Sequence, residues 1–130
     1  MKKTRLLNRH LSDAIARIGH TQRLIIADAG LPIPLHVKRI DLAVTPGLPT
    51  VRQVADAIAT EMEVESIVVA DELIAWNTDL VDEMSALFTA PWSSVPHTTF
   101  KEMSEAAIAI VRTGETQPYF NVMLVSGVNY

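Results

Sequence analysis

Short apolar segments separated by Gly, Pro and Asp divide this chain into helices and strands. The first segment has the spacing of one helix face, with apolar residues at Leu7, Leu11, Ile15 and Ile18. It predicts a helix over residues 8–18 that ends in a left-handed cap at Gly19. The nearly continuous apolar runs at 23–27 and 66–70 instead predict strands, and the second of these carries apolar residues on both faces.

Further strands and one further helix follow from alternation and capping signals. Residues 39–45 alternate as a strand with one face toward water does, and residues 119–125 predict the last strand. Thr50 and Gln53 have the spacing of a capping box, in which each side chain bonds the backbone amide of the other residue. A helix over residues 51–62 is therefore expected.

Two more helices are predicted in the C-terminal half. The first is capped by Asn77 or Thr78. The second starts at another capping box, Thr99 with Glu102. The first is expected to end near Phe88 and the second at Gly114. Because strands and helices alternate with short loops, we predict an α/β fold: a single three-layer α/β/α domain over residues 1–130 with a largely parallel or mixed central sheet.

Composition narrows the function classes. Apolar residues make up 48% of the 130 residues and charged residues only 20%, against about 25% in a typical domain. We expect the apolar surplus to be buried against copies of the same chain. The net charge of -4 argues against a nucleic-acid partner, and the absence of cysteine excludes disulfides and thiolate metal sites. The absence of cysteine also fits a reducing cytosol. Since no apolar stretch reaches signal-peptide or membrane-span length, we expect a soluble protein without membrane contact.

Candidate chemistry comes from isolated polar residues. No glycine-rich phosphate loop and no metal-binding histidine pair occurs, so we expect no metal and no nucleotide cofactor. His20 follows a predicted helix end and is either an acid/base group or a surface histidine. Asp28 follows a strand and either orients a partner or forms a turn. Tyr119 and Asn121, two apart on a strand, share one face, whereas His97 reads as a loop residue.

Several segments taken together resemble the D-ribose pyranase family along nearly the whole chain. They are Gly19-His20-Thr21, Asp28 to Pro34 (DAGLPIP), Arg39-Ile40-Asp41, Glu61-Met62, Arg112 to Glu115 (RTGE), and Pro118 to Asn121 closing on Gly127-Val128. The resemblance implies a cytoplasmic enzyme that interconverts the pyranose and furanose forms of D-ribose for downstream ribose metabolism. It also implies ring-shaped homo-oligomers with the active site near subunit contacts, and no cofactor.

The resemblance also implies roles for single residues. His20 matches the family's acid/base histidine. The sugar-binding positions are matched by Asp28, His97, Tyr119, Phe120 and Asn121. Phe120 stands where a small residue is usual, so it either contributes its backbone or, if its ring points inward, narrows the sugar pocket.

Two alternative classes remain open at this point. A fucose-type mutarotase would use the same proton chemistry on a six-carbon sugar, although the DAGLPIP segment favours the ribose branch. A non-catalytic module would either bind a sugar or carry a phosphoryl group on Asp28. The second variant is disfavoured, because Asp28 has no acidic neighbour and the last strand has no lysine.

Overall fold

The computed structural model describes residues 1–130 and contains four helices and six strands. In chain order they are α1 (Arg9–Arg17), β1 (Arg23–Ala27), β2 (Lys38–Asp41), α2 (Val51–Ile58), β3 (Val64–Ala70), α3 (Asp71–Phe88), β4 (Trp92–Val95), α4 (His97–Ser104), β5 (Ala109–Arg112) and β6 (Val122–Ser126). The predicted α/β class is confirmed.

The six strands form one mixed sheet in the order β2-β5-β1-β6-β3-β4. Strand β5 pairs in parallel with β1 and β2, and β3 pairs in parallel with β4. Strand β6 lies between β1 and β3 and is antiparallel to both. The strands other than β6 therefore all end at one edge of the sheet, which we call the carboxyl edge, and begin at the opposite amino edge.

Alternating side chains of the strands fill two separate cores. Leu24 and Ile26 of β1 belong to the larger core, which α1, α2 and α3 cover. Ile25 and Ala27 belong to the smaller core on the other face, where Phe100 of α4 is fully buried. Truncating Phe100 to alanine would leave a cavity in this core and lower the free energy of unfolding by about 3 to 5 kcal/mol. Helices on both faces give the expected three layers.

The predicted helix from the Thr99 capping box to Gly114 is wrong. Helix α4 begins three residues earlier, at His97, with Pro96 as its cap and no side-chain cap bond, and it ends at Ser104. Ile110 and Val111 lie instead in β5, between β1 and β2. Helical spacing of apolar residues misled the prediction here, because a β-branched run that is buried on both faces of a sheet satisfies the same spacing.

The cap at Gly19 is also wrong. Helix α1 ends at Arg17, its C-cap residue Ile18 has an extended backbone, and the left-handed residue in this loop is Thr21 with a φ of 66°. The capping box of Thr50 and Gln53 is confirmed, with Oγ1 of Thr50 accepting from the Gln53 amide at 3.2 Å. Thr50 therefore starts α2, which ends at Ile58, with turns beyond it.

The remaining elements differ from prediction mainly in length. Strand β2 is four residues long, and the last strand starts only at Val122. Helix α3 already begins at Asp71, directly after β3, where two acidic side chains in its first turn favour the helix dipole. Asn77 interrupts α3 with non-helical backbone angles, and its Oδ1 accepts from the Asp79 amide at 3.1 Å. The predicted cap at Asn77 therefore restarts a helix that had begun earlier.

Candidate active site

Asp28 and Asn121 meet at the carboxyl edge of the sheet. Asp28 follows the last residue of β1 and Asn121 precedes the first residue of β6, and the antiparallel pairing of these strands brings the two together. The amide of Asp28 donates to Oδ1 of Asn121 at 2.8 Å, and Nδ2 of Asn121 donates to Oδ2 of Asp28 at 3.1 Å. The fully buried Asn121 therefore holds the Asp28 carboxylate in one orientation.

Asp28 also forms the turn that its position suggested. Its Oδ1 accepts from the amide of Gly30 at 2.9 Å, which closes a turn of the Asx type. Each carboxylate oxygen thus has one partner within the chain and keeps capacity to accept a further hydrogen bond. The turn-forming and ligand-binding interpretations of Asp28 are compatible.

A cavity of about 270 Å³ opens beside this carboxylate. It is lined by Asp28, Gly30, Leu31, Pro32, His97, Pro118, Tyr119 and Asn121, and we call it the carboxyl-edge groove. Its volume lies just below the usual range of small-molecule sites, which begins at about 300 Å³. The groove thus suits a small polar ligand, and it brings four of the six predicted site residues together.

His97 and Tyr119 form the aromatic side of the carboxyl-edge groove. His97 is the first residue of α4, and its backbone amide donates to Oε2 of Glu72 at 2.9 Å. The two rings meet edge to face with centroids 5.1 Å apart. Nδ1 of His97 is buried without a hydrogen-bond partner, so packing against Tyr119 orients this ring.

Tyr119 has a φ of 60°, a left-handed conformation that is uncommon for aromatic residues. Tyr119 therefore does not extend β6. Tyr119 and Asn121 both line the groove, but they do not alternate along one strand as predicted. A strained residue of this kind persists where the surrounding structure over-determines it, which is frequent at ligand sites.

Phe120 is placed differently from its two neighbours. Its side chain is fully buried in the larger core, on the face covered by α1, α2 and α3. The ring does not line the carboxyl-edge groove, so it does not narrow that cavity.

His20 lies at the amino edge, in a second cavity of about 340 Å³. Its side chain is 53% exposed, and Nε2 lies 2.8 Å from Oε2 of Glu65 on β3. The chain from Thr21 to Asp28 contains all of β1, whose five residues alone span about 13 Å. Within one chain, His20 therefore stands at the opposite end of β1 from the carboxyl-edge groove.

The RTGE segment braces the carboxyl edge, a role that its sequence did not reveal. Oγ1 of Thr113 donates to the Ala27 carbonyl at 2.8 Å, and Nε of Arg112 donates to the Ala29 carbonyl at 3.1 Å. Oε1 of the buried Glu115 accepts from the amides of the next two residues at 3.1 Å each. These bonds hold the loops that carry Asp28 and Tyr119.

No group of three or more His, Asp or Glu side chains converges as a metal site would require. None of the helices is both long and apolar enough to cross a membrane.

The model of the RbsD / FucU transport protein family matches residues 1–129. The chain belongs to this family.

Two relatives from the ribose side of the family are similar over the full length. A D-ribose pyranase of Rhodopirellula baltica is 51% identical over 133 residues, with 98% of each chain covered. The structure of Bacillus subtilis RbsD complexed with D-ribose is 41% identical, covers 100% of both chains and superposes with a TM-score of 0.94.

A fucose relative shares the fold at lower sequence similarity. The fucose mutarotase of Streptococcus pneumoniae, in complex with L-fucose, is 21% identical over 100% of both chains, with a TM-score of 0.78. At this identity the likeness concerns the fold alone. The sequence of this chain is thus much closer to the ribose relatives.

Proposed function

We propose that this chain interconverts the pyranose and furanose ring forms of D-ribose by general acid/base catalysis. The observation that carries the proposal is the 51% identity, over 98% of both chains, to a D-ribose pyranase. The groove at the carboxyl edge supports it independently, because it is small and presents a carboxylate, a carboxamide, a phenol and an imidazole.

The reaction needs only proton transfers. A base removes the proton of the anomeric hydroxyl while an acid protonates the ring oxygen, and the bond between the anomeric carbon and the ring oxygen breaks to give the open aldehyde. A different hydroxyl then adds to the aldehyde carbon, loses its proton, and the former carbonyl oxygen gains one. Imidazole, with an ordinary pKa of about 6.5, exchanges protons readily near neutral pH, and such a group typically contributes about 10² to 10⁴ in rate.

In this proposal His20 is the catalytic residue and the carboxyl-edge groove orients the sugar. Asp28 accepts from a sugar hydroxyl, since both of its oxygens keep free acceptor capacity. The other groups that contact the sugar are His97, Tyr119, Asn121 and the backbone of Phe120. Because Asn121 and Gly30 already hold the Asp28 carboxylate, little ordering is left to occur on binding.

A complete site then requires a second copy of the chain. His20 and the carboxyl-edge groove lie at opposite ends of β1, so His20 of one subunit would act on sugar held by a neighbour. Such head-to-tail contacts close into a ring, as the family resemblance implied. Large apolar side chains that remain exposed support self-association: Leu7, Leu35, Val44 and Trp76 are each more than 60% exposed.

The substrate proposed is D-ribose rather than fucose. The full-length identity is 41% to the ribose-bound relative and 21% to the fucose-bound one. The setting proposed is the cytoplasm, with no metal or organic cofactor.

Saturation-transfer NMR on D-ribose tests the proposal directly. Adding the protein should speed the exchange between pyranose and furanose signals well above the uncatalysed rate, and L-fucose anomers should exchange far more slowly. Faster exchange of L-fucose would favour the fucose-type alternative. Saturable ribose binding with exchange at the uncatalysed rate would show a non-catalytic sugar-binding module.

A further inference from the structure

Glu65 stands at an irregularity in the sheet. Val64 pairs with Ser126 and Ser66 pairs with Val125, so β3 advances two residues where β6 advances one. Glu65 is therefore the extra residue of a β-bulge. Bulges redirect side chains and are frequent beside active sites. Here the redirected carboxylate reaches the imidazole of His20 at 2.8 Å.

The loop that carries His20 is tied to the same point of β6. The amide of Thr21 donates to the Ser126 carbonyl at 2.9 Å, and the left-handed conformation of Thr21, which is rare for a β-branched residue, makes this approach possible. Gly127 lies so close to β3 that a Cβ there would stand 3.3 Å from Cβ of Glu65. Both partners of the His20–Glu65 pair are thus positioned against the end of β6.

Stability alone does not explain this arrangement. The two side chains are 53% and 41% exposed, and ion pairs at such positions contribute about 0 to 1 kcal/mol. A left-handed β-branched residue costs about 1 to 3 kcal/mol. The bulge and the strained loop are therefore better explained by a function of the hydrogen bond that they create.

The hydrogen bond selects one tautomer of His20. An ionised carboxylate only accepts hydrogen bonds, and a neutral imidazole carries a proton on one nitrogen. With Oε2 of Glu65 facing Nε2, that proton lies on Nε2, and the lone pair is left on Nδ1.

We infer that Glu65 is a positioning residue for His20: it holds the imidazole as the Nε2–H tautomer and leaves Nδ1 as the nitrogen that exchanges protons with the sugar. The inference rests on the proposed function, and it assigns to the reaction a residue and an atom that the sequence did not single out. Glu65 itself does not contact the sugar.

The experiment combines a tautomer measurement with ribose kinetics. The protein is labelled with ¹⁵N in histidine, the His20 signals are assigned by their loss in His20→Ala, and the tautomer is read from the two ring-nitrogen shifts above neutral pH. Ribose exchange gives kcat and KM for wild type, Glu65→Ala and Glu65→Gln. Glu83→Gln is the matched control, because Glu83 is also an exposed member of an ion pair, with Arg52 at 2.7 Å.

We expect wild-type His20 to be the Nε2–H tautomer alone. Glu65→Ala should show a fraction of Nδ1–H and a kcat about tenfold lower, with KM nearly unchanged because the carboxyl-edge groove is intact. Glu65→Gln retains an acceptor oxygen and should keep the wild-type tautomer and most of kcat. Glu83→Gln should match wild type in both measurements.

Three results overturn the inference while leaving the proposed function in place. The first two are an active wild type whose His20 is Nδ1–H and a Glu65→Ala protein with wild-type kcat. Equal losses in Glu65→Gln and Glu65→Ala would also overturn it, because hydrogen-bond acceptance would then not be the cause. A wild-type protein that does not accelerate ribose exchange would instead overturn the proposed function, and with it the catalytic role of Glu65.

Discussion

The two ends of β1 carry the candidate residues in contrasting environments. At the carboxyl edge, Asp28 is held by the buried Asn121 and by its own turn, and the RTGE segment braces the surrounding loops. At the amino edge, His20 is half exposed and has one side-chain partner, Glu65. In the proposed function, the first environment orients the hydroxyl groups of the sugar. The second leaves an imidazole accessible to a neighbouring molecule.

The contrast follows from what each task requires. Orientation of a ligand gains from polar groups whose hydrogen bonds are already made, because less freedom is lost on binding. A proton-transfer group must instead approach the reacting atoms and then exchange its proton. If two subunits supply the two halves, catalysis occurs only in the assembly.

The largest expected effect comes from removing the imidazole at the amino edge. His20→Ala should lower ribose exchange about 10²- to 10⁴-fold while fold and assembly persist, since a half-exposed loop side chain contributes little to the core. Exchange per folded protein is measured by saturation-transfer NMR.

His10→Ala is the matched control, because His10 is an exposed histidine without an assigned role. Wild-type exchange in His20→Ala, or equal damage in His10→Ala, would show that His20 is not the proton-transfer residue.

At the carboxyl edge, Asp28→Asn should reduce ribose exchange about 10- to 100-fold. The neutral amide still has one oxygen that can accept from the Gly30 amide, but its Nδ2 cannot accept from Nδ2 of Asn121. It also loses charge-assisted acceptance from a sugar hydroxyl, which is worth about 1.5 to 3 kcal/mol. The matched control is Asp56→Asn, which removes a carboxylate that pairs with Arg5 on the surface. Equal kinetics for Asp28→Asn and wild type would remove Asp28 from the sugar site.

A smaller effect, on stability, is expected in the RTGE segment. Glu115→Ala should lower the free energy of unfolding by about 2 to 3 kcal/mol, because the buried carboxylate accepts from backbone amides that would lose their partner. Glu102→Ala, at an exposed position on α4 where the predicted capping box does not form, should change it by less than about 0.5 kcal/mol. Denaturant titration measures the free energy of unfolding of both variants. Equal values would contradict the role of Glu115 in holding the carboxyl-edge loops.

The smallest expected effect is that of a chelator. The proposed proton transfers need no Lewis acid, and the histidine and carboxylate side chains form no group of three that could hold a metal. Ribose exchange should therefore be unchanged after exhaustive chelator treatment. A loss of exchange that zinc or magnesium restores would contradict this account.

Local signals predicted the well-defined parts of the fold. The run at 23–27 forms β1 and the Thr50 capping box starts α2, because each signal lies within the segment that it specifies. Residues 109–112 have an apolar spacing of three and four that fits a helix as well as a strand buried on both faces. These residues form a strand because they pair with β1 and β2, and the linear sequence pattern carries no information about that pairing.

The candidate site was predictable in kind but not in arrangement. Sequence singled out His20 and Asp28, and strand order then placed them at opposite ends of β1. Glu65 escaped notice because a bulge is a property of the pairing between two strands. The ring of Phe120 points into the larger core beside a left-handed residue, Tyr119, that the sequence did not signal.

Complementation between two impaired variants tests most directly whether two subunits form one site. His20→Ala and Asp28→Asn chains with different tags are co-expressed, and complexes carrying both tags are purified. If His20 of one subunit acts on sugar held by another, random mixing in a ring restores about a quarter of the sites, and ribose exchange should reach about a quarter of the wild-type rate. Mixed complexes that exchange ribose no faster than the average of the two parent variants would contradict the shared site.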